Sequence, residues 1–392
     1  MNTATLSGRI PYWPLSSFYF FYFAVLGGFM PYWTLYLERE LAFSAADIGQ
    51  LMAVVMATRI IAPNFWGYVA DRSGKRLELV RMGAFMLMLF WCGIFLVRDF
   101  WPVALVLLGY SFFQNAILAQ FEALTIAHLG TQRERYGQIR LWGSLGFIAT
   151  VAGLGMLFEI ISLKWLPAIL AFCALLSWLA SLAVPDIVTK KRSEASDSLW
   201  SILRRPVVMG FLGASFLLEL SHAPYYTFYS IYLEGHGYSR TAIGWLWALG
   251  VAAEVIAFTQ MHRILPKLGE QRLMMLSLAL GALRWFVIGH AIEWPFVLGL
   301  MQLLHAATFA TFHAAVISLI YRHFGEGHQG QGQALYSMLW GLGVALGSWV
   351  AGHFWDAVGP ARIYSVAALC CVLAFFLVWR CVPRLQPAET IR

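Results

Sequence analysis

Inside stretches that are otherwise apolar, this chain carries Arg59, Asn115, Glu122, Arg140, Glu219, His222, Glu254, Arg284, His305 and His313. An isolated charge at the centre of a bilayer costs about 2.5–3.5 kcal/mol on insertion scales, so such residues pair with one another or line a wet cavity. Two kinds of chemistry are open to them. The carboxyls and imidazoles can take up and release protons, and the guanidiniums can grip an anion with two parallel donors. Nothing beside them suggests bond-breaking catalysis, a resident metal or a cofactor. There is no HExxH and no paired acid–His ligand spacing, and the five cysteines sit in or at the ends of apolar segments as small packing residues. The GxG strings precede no strand, and the Gly-rich stretch from Gly325, read as a flexible loop, lacks the Lys of a phosphate cradle.

Glu122 and Arg140 stand 18 residues apart, across a helical hairpin. They read either as a solute-binding pair or as a structural ion pair between two helices. Asn115 lies seven residues before Glu122, which makes that helix face polar over two turns. Arg59 adds a second cation to this half, placed to meet a carboxylate solute, to meet Glu122 or to snorkel to the headgroups. Two arginines to one acid leave a spare positive charge, which points to an anionic solute. In the other half, Glu254 is the first choice for a proton carrier, with Arg284 as its partner; the rival reading is a fixed salt bridge. Burial favours a neutral carboxyl and a neighbouring guanidinium the charged one, so exchanging neighbours moves a proton. Glu219 and His305 also fall near mid-span. His313 reads as a bonded core histidine. Tyr22 and Tyr226, with Tyr19, Tyr225 and Tyr229, are placed to face a cavity, although periodicity does not separate cavity-facing from lipid-facing rings.

The elements that must position these groups are membrane helices. The chain is 60% hydrophobic and 12% charged, with a mean hydropathy of +0.68, whereas a soluble chain carries about 25% charged residues. Twelve apolar segments are long enough to span a bilayer: residues 15–37, 46–67, 77–97, 102–128, 138–159 and 165–184, then 206–233, 241–262, 273–292, 295–320, 334–355 and 361–381. The first follows no cleavage site and reads as an uncleaved span. A polar stretch between the sixth and seventh divides the chain into residues 1–185, a linker 186–205 and residues 206–392. Nineteen Lys and Arg fall on the side of the termini and linker and five on the other, so the termini and linker are expected in the cytoplasm. That distribution accounts for the net charge of +7 without a nucleic-acid partner. Trp13, Trp33, Trp101, Trp165 and Trp294, near span ends, suit an interfacial belt. Two six-helix halves joined by a cytoplasmic linker is a transporter layout, with the solute between the halves near midplane.

Gly67, Asp71, Arg72, Gly74, Lys75 and Arg76 follow the second span. This pattern resembles the signature loop of the major facilitator superfamily; its counterpart at 261–272 keeps Arg263, Lys267, Gly269 and Arg272 but lacks the acid. The first span, with Phe20 to Phe23, Gly28, Pro31, Tyr32 and Trp33, is similar to that of lactose permease-type symporters. Tyr136 to Ser144, Ala223 to Tyr226, Gly244 to Val255, Arg284-Trp285, and Leu304-His305 through His313 resemble the phenylpropionate permease family. The resemblance implies the major facilitator fold, an all-α membrane protein of twelve helices in two bundles. It further implies a monomeric proton symporter of the inner membrane that imports a small organic solute by alternating access, an aromatic acid such as a phenylpropionate first among them. An oligosaccharide or nucleoside symporter, a drug efflux antiporter and a membrane solute sensor are the alternatives. The tenth span has Thr308 where the lactose permease pattern has an acid, and Glu254 is displaced by a turn from that pattern, so that family's coupling route does not carry over residue by residue.

Overall fold

A computed structural model of the protein describes residues 10–187 and 199–383, without the side chains of residues 326 and 327. Among the described residues there are twelve helices long and apolar enough to cross a membrane, and no strand. They are Tyr12–Arg39, Ala45–Ser73, Arg76–Leu96, Phe100–Leu129, Arg133–Leu157, Leu163–Ala183, Pro206–Gly235, Arg240–Leu268, Glu270–His290, Pro295–Gly325, His328–Val358 and Pro360–Cys381. The expected spans are therefore present and mostly longer. Lys190, Lys191 and Arg192 of the linker, with Arg9, Arg384 and Arg392, lie outside the described residues.

Local sequence sets the helix ends. Ser44 caps the second span by accepting from the Asp47 amide, while the Asp47 carboxylate accepts from the Ser44 amide, which satisfies two donors that a helix start leaves open. Pro206 and Pro360 begin the seventh and twelfth spans, where a missing N–H is harmless. Two expectations need correction. The second span continues to Ser73, so Gly67, Asp71 and Arg72 are helical and the turn is confined to Gly74 (φ 69°) and Lys75. The Gly-rich stretch expected as a loop is mostly the start of the eleventh span, at His328. Its Gly332 comes so close to the tenth span that a Cβ would lie 2.8 Å from Ile320 and 2.9 Å from Phe324. Close packing, not loop freedom, explains a glycine there.

The first span packs on the fifth and sixth, the second and third on the fourth, and the seventh on the eleventh and twelfth. The halves meet where the second span crosses the eleventh and the fifth crosses the eighth. At the end away from the linker this seam is tight. A Cβ on Gly49 would lie 2.5 Å from the Ser348 carbonyl oxygen, and one on Gly244 would lie 2.6 Å from that of Val151. Glu234 accepts from Arg39 at 2.7 Å and from Arg240 at 3.0 Å, and Arg240 also donates to the Phe158 carbonyl at 3.1 Å. At the linker end, Ile61, Phe65 and Tyr68 of the second span stand exposed. The structure is thus closed at the distal end. Trp13, Trp101, Trp165 and Trp294 are exposed as a belt requires, but Trp33 is fully buried, stacked on Phe29 and Tyr36.

Candidate functional site

Glu122 of the fourth span and Arg140 of the fifth face each other with Oε1 3.8 Å from Nε, both side chains about one-third exposed. That separation is an ion pair but not a hydrogen bond, so both keep free bonding capacity. The Arg140 guanidinium lies 4.1 Å from the Phe23 ring centroid and 5.5 Å from that of Tyr19. A second carboxylate, Glu254 of the eighth span, also feels the charge of Arg140. Arg140 therefore lies against an aromatic wall, paired with Glu122 and within the electrostatic reach of an acid of the other half.

Glu254 does not have Arg284 as its ion-pair partner, contrary to expectation. Its Oε2 lies 3.5 Å from Nε2 of His305. Arg284, wholly buried, donates to the Met301 carbonyl (3.0 Å), to Gln302 Oε1 (3.2 Å), to Thr308 Oγ1 (3.3 Å) and to Nδ1 of His305 (3.1 Å). Its plane also rests on Tyr225 and Trp285, with centroids at 4.5 and 4.4 Å. The reason is geometric. The tenth span passes between the eighth and ninth, and its own polar groups reach Arg284 first. A guanidinium only donates, so Nδ1 of His305 is the acceptor and the ring proton sits on Nε2, facing Glu254.

Arg59 does not pair with Glu122. Its guanidinium stacks 4.1 Å from the Trp340 centroid on the eleventh span, and Glu219, Tyr22 and Tyr226 are its electrostatic neighbours. Glu219 is 2% exposed, and its Oε2 is buried without a hydrogen-bond partner. This second cluster also joins the halves. Asn115 bonds Thr58 of the second span at 3.0 Å and the Ser111 carbonyl at 2.8 Å, and Tyr22 donates to the Gln114 carbonyl at 3.3 Å. Tyr19 bonds Thr125, while Tyr225 and Tyr229 both bond Gln302; these three rings are buried in the bundle. His222 uses Nδ1 on the Leu218 carbonyl at 2.9 Å and packs edge-on against Trp285. At the linker end, Asp71 pairs with Arg76, which also holds Gln120 of the fourth span.

A family model described as the MFS_1 like family matches residues 12–366. The chain belongs to this family. As a member of it, within the major facilitator superfamily, the protein is a multi-pass secondary transporter for small solutes and not an enzyme. It is 30% identical over 378 residues to the "Probable 3-phenylpropionic acid transporter" of Escherichia coli (strain K12), covering 93% of this chain and 96% of that one. It is 25% identical over 373 residues to the maltose permease of Geobacillus stearothermophilus, covering 92% of each. Two crystal structures of the nucleoside transporter NupG, one of them a mutant, superpose with TM-scores of 0.84 and 0.81, both at 18% identity. They cover 94% and 95% of this chain and 99% of their own, which supports the major facilitator fold. Within this family member, Gln302 and Trp340 are the site residues that sequence reasoning missed. Gln302 is a lone amide in an apolar segment and carried a signal. Trp340 carried none, because only the seam between halves places it over Arg59.

Proposed function

We propose that this family member imports a small organic acid together with protons, an aromatic acid such as a phenylpropionate being the preferred solute. The observation that carries the reading is Arg140, a guanidinium laid against Phe23, paired with Glu122 and electrostatically coupled to Glu254. A solute carboxylate can take the Arg140 donors as a two-pronged pair while its ring packs on the aromatic wall. That contact withdraws a cation from Glu254. A buried carboxylate without its cation is costly, so binding the anion and protonating Glu254 favour one another, which is the thermodynamic requirement for symport. The relative whose name carries 3-phenylpropionic acid supports the solute class. In this reading residues 1–185 and 206–392 rock about the site as a monomer in the inner membrane, with the linker cytoplasmic. A neutral sugar or nucleoside is the second reading, favoured by the half-free Glu122 carboxylate, which can accept hydroxyls.

Purified protein in vesicles, given an inward proton gradient and labelled 3-phenylpropionate, maltose or uridine in turn, should accumulate the acid above protein-free vesicles. Accumulation should collapse with a protonophore. Glu254→Gln should retain solute exchange and lose accumulation, since an amide cannot titrate. Accumulation of maltose or uridine alone would overturn the solute class, and unimpaired accumulation by Glu254→Gln would overturn the proton carrier.

A further inference from the structure

The tenth span is not a regular α-helix. Residues Ala307–Thr311 form a π-helical turn, a rare feature that inserts one extra residue and is frequent at functional sites. Its effect here is on register. Residues eight apart in an α-helix point about 80° away from each other at 3.6 residues per turn. One α turn plus one π turn of about 4.4 residues takes about eight residues, so His305 and His313 come onto one face. The rings confirm the alignment. His305 stacks on Phe309 at 5.7 Å and 19°, and Phe309 on His313 at 6.1 Å and 8°. The eighth span presents a matching face. Glu254 meets His305 at 3.5 Å, and Phe258, one turn on, meets the His313 ring at 6.3 Å. Glu254 and His313 are also mutual electrostatic neighbours.

We propose that His313 is the relay through which Glu254 exchanges its proton with the linker-end opening, and that the π turn places it there. This rests on the reading of Glu254 as proton carrier. The other polar groups around Glu254 are unsuited to the task. Arg140 carries a guanidinium, which only donates. Nδ1 of His305 already accepts from Arg284 at 3.1 Å, so a second ring proton would set N–H against N–H beside a buried cation. The tyrosines Tyr225 and Tyr226 feel the Glu254 charge, but a phenol only hands a proton along a hydrogen bond and does not hold one near neutral pH, so neither receives it from Glu254. His313 is free of these constraints. It is only part-buried, its Nδ1 lies 3.2 Å from the Tyr336 hydroxyl of the eleventh span, and it stands two turns nearer the linker end than His305. The transfer balances: a proton leaves the Glu254 carboxyl oxygen and one reaches Nε2 across a bridging water, and the imidazolium gives its Nδ1 proton to the Tyr336 oxygen as that hydroxyl releases its own proton to water. The ring returns to its first tautomer by the reverse exchange or by turning over.

His313→Asn and His313→Gln should be tested in vesicles with whichever of 3-phenylpropionate, maltose and uridine the unmodified protein accumulates. Both variants should keep solute exchange within about two-fold, slow gradient-driven accumulation at least about ten-fold, and recover part of that rate with added imidazole. Rescue by a free proton carrier is a response that loss of packing would not give. Accumulation at the parent rate, or a slow rate that imidazole leaves unchanged, would overturn the relay. If both variants fail to fold, Tyr336→Phe takes their place: accumulation should slow several-fold with exchange unchanged, and a parent-like rate overturns the proposal. Loss of accumulation in Glu254→Gln beside normal accumulation in His313→Asn removes only the relay. Normal accumulation in Glu254→Gln removes the carrier beneath it.

Discussion

Gly49→Ala tests whether the distal seam is a gate. Its new methyl would lie 2.5 Å from the Ser348 carbonyl oxygen and 2.8 Å from the Gly352 Cα. Both are backbone atoms, so no flexible side-chain tip can move aside. Overpacking of this kind costs about 1–3 kcal/mol. The helix-propensity gain of Ala over Gly, about 1 kcal/mol, acts equally on the closed and open arrangements and cancels. The clash falls on the closed arrangement alone, so the open population should rise about 5- to 150-fold. A reporter is available at Ile48, 1% exposed, which lines one cavity at this seam with Phe228 and Trp355 of the other half. In a background without the five native cysteines, Ile48→Cys should react slowly with a polar maleimide in detergent, and faster by that factor once Gly49→Ala is added. Folded yield and thermal midpoint recorded alongside separate gating from general loosening. A reaction rate within two-fold of the parent in well-folded protein would refute the reasoning.

Three further outcomes are expected. Arg140→Lys should weaken binding of an organic acid about 10- to 100-fold at normal folded yield, because an ammonium cannot reproduce the guanidinium fork; unchanged affinity in a binding titration would remove Arg140 from the site. Asp71→Asn, which removes a carboxylate from Arg76 at the linker end, should lower uptake several-fold with affinity within two-fold, and a large affinity loss would contradict a role confined to cycling. A cysteine at Ser193, in the linker outside the described residues, should resist an impermeant reagent in intact cells, and ready labelling would invert the topology.

What the sequence by itself determined is the set of facts that solvation imposes on each segment separately. Helices of this length and apolarity have only a bilayer to enter, and their hydrogen bonds close within the segment. That is why the spans and the exposure of Trp13, Trp101, Trp165 and Trp294 were legible residue by residue. The polar mid-span residues were legible as a set for the same reason, since each is expensive alone. Their partners were not. Glu254 lies 3.5 Å from His305, and Arg284 is held by Gln302, Thr308 and a backbone carbonyl, because pairing depends on which helices touch and at what rotation. Arg59 over Trp340, Gly49 against Gly352 and Arg140 coupled to Glu254 all lie across the seam of the halves, where sequence separation carries no distance. The π turn in the tenth span is the sharpest case. One extra residue in a turn rotates everything beyond it, and that rotation, invisible to a helical repeat of 3.6 residues, decides whether His313 joins the Glu254 face or packs away from it.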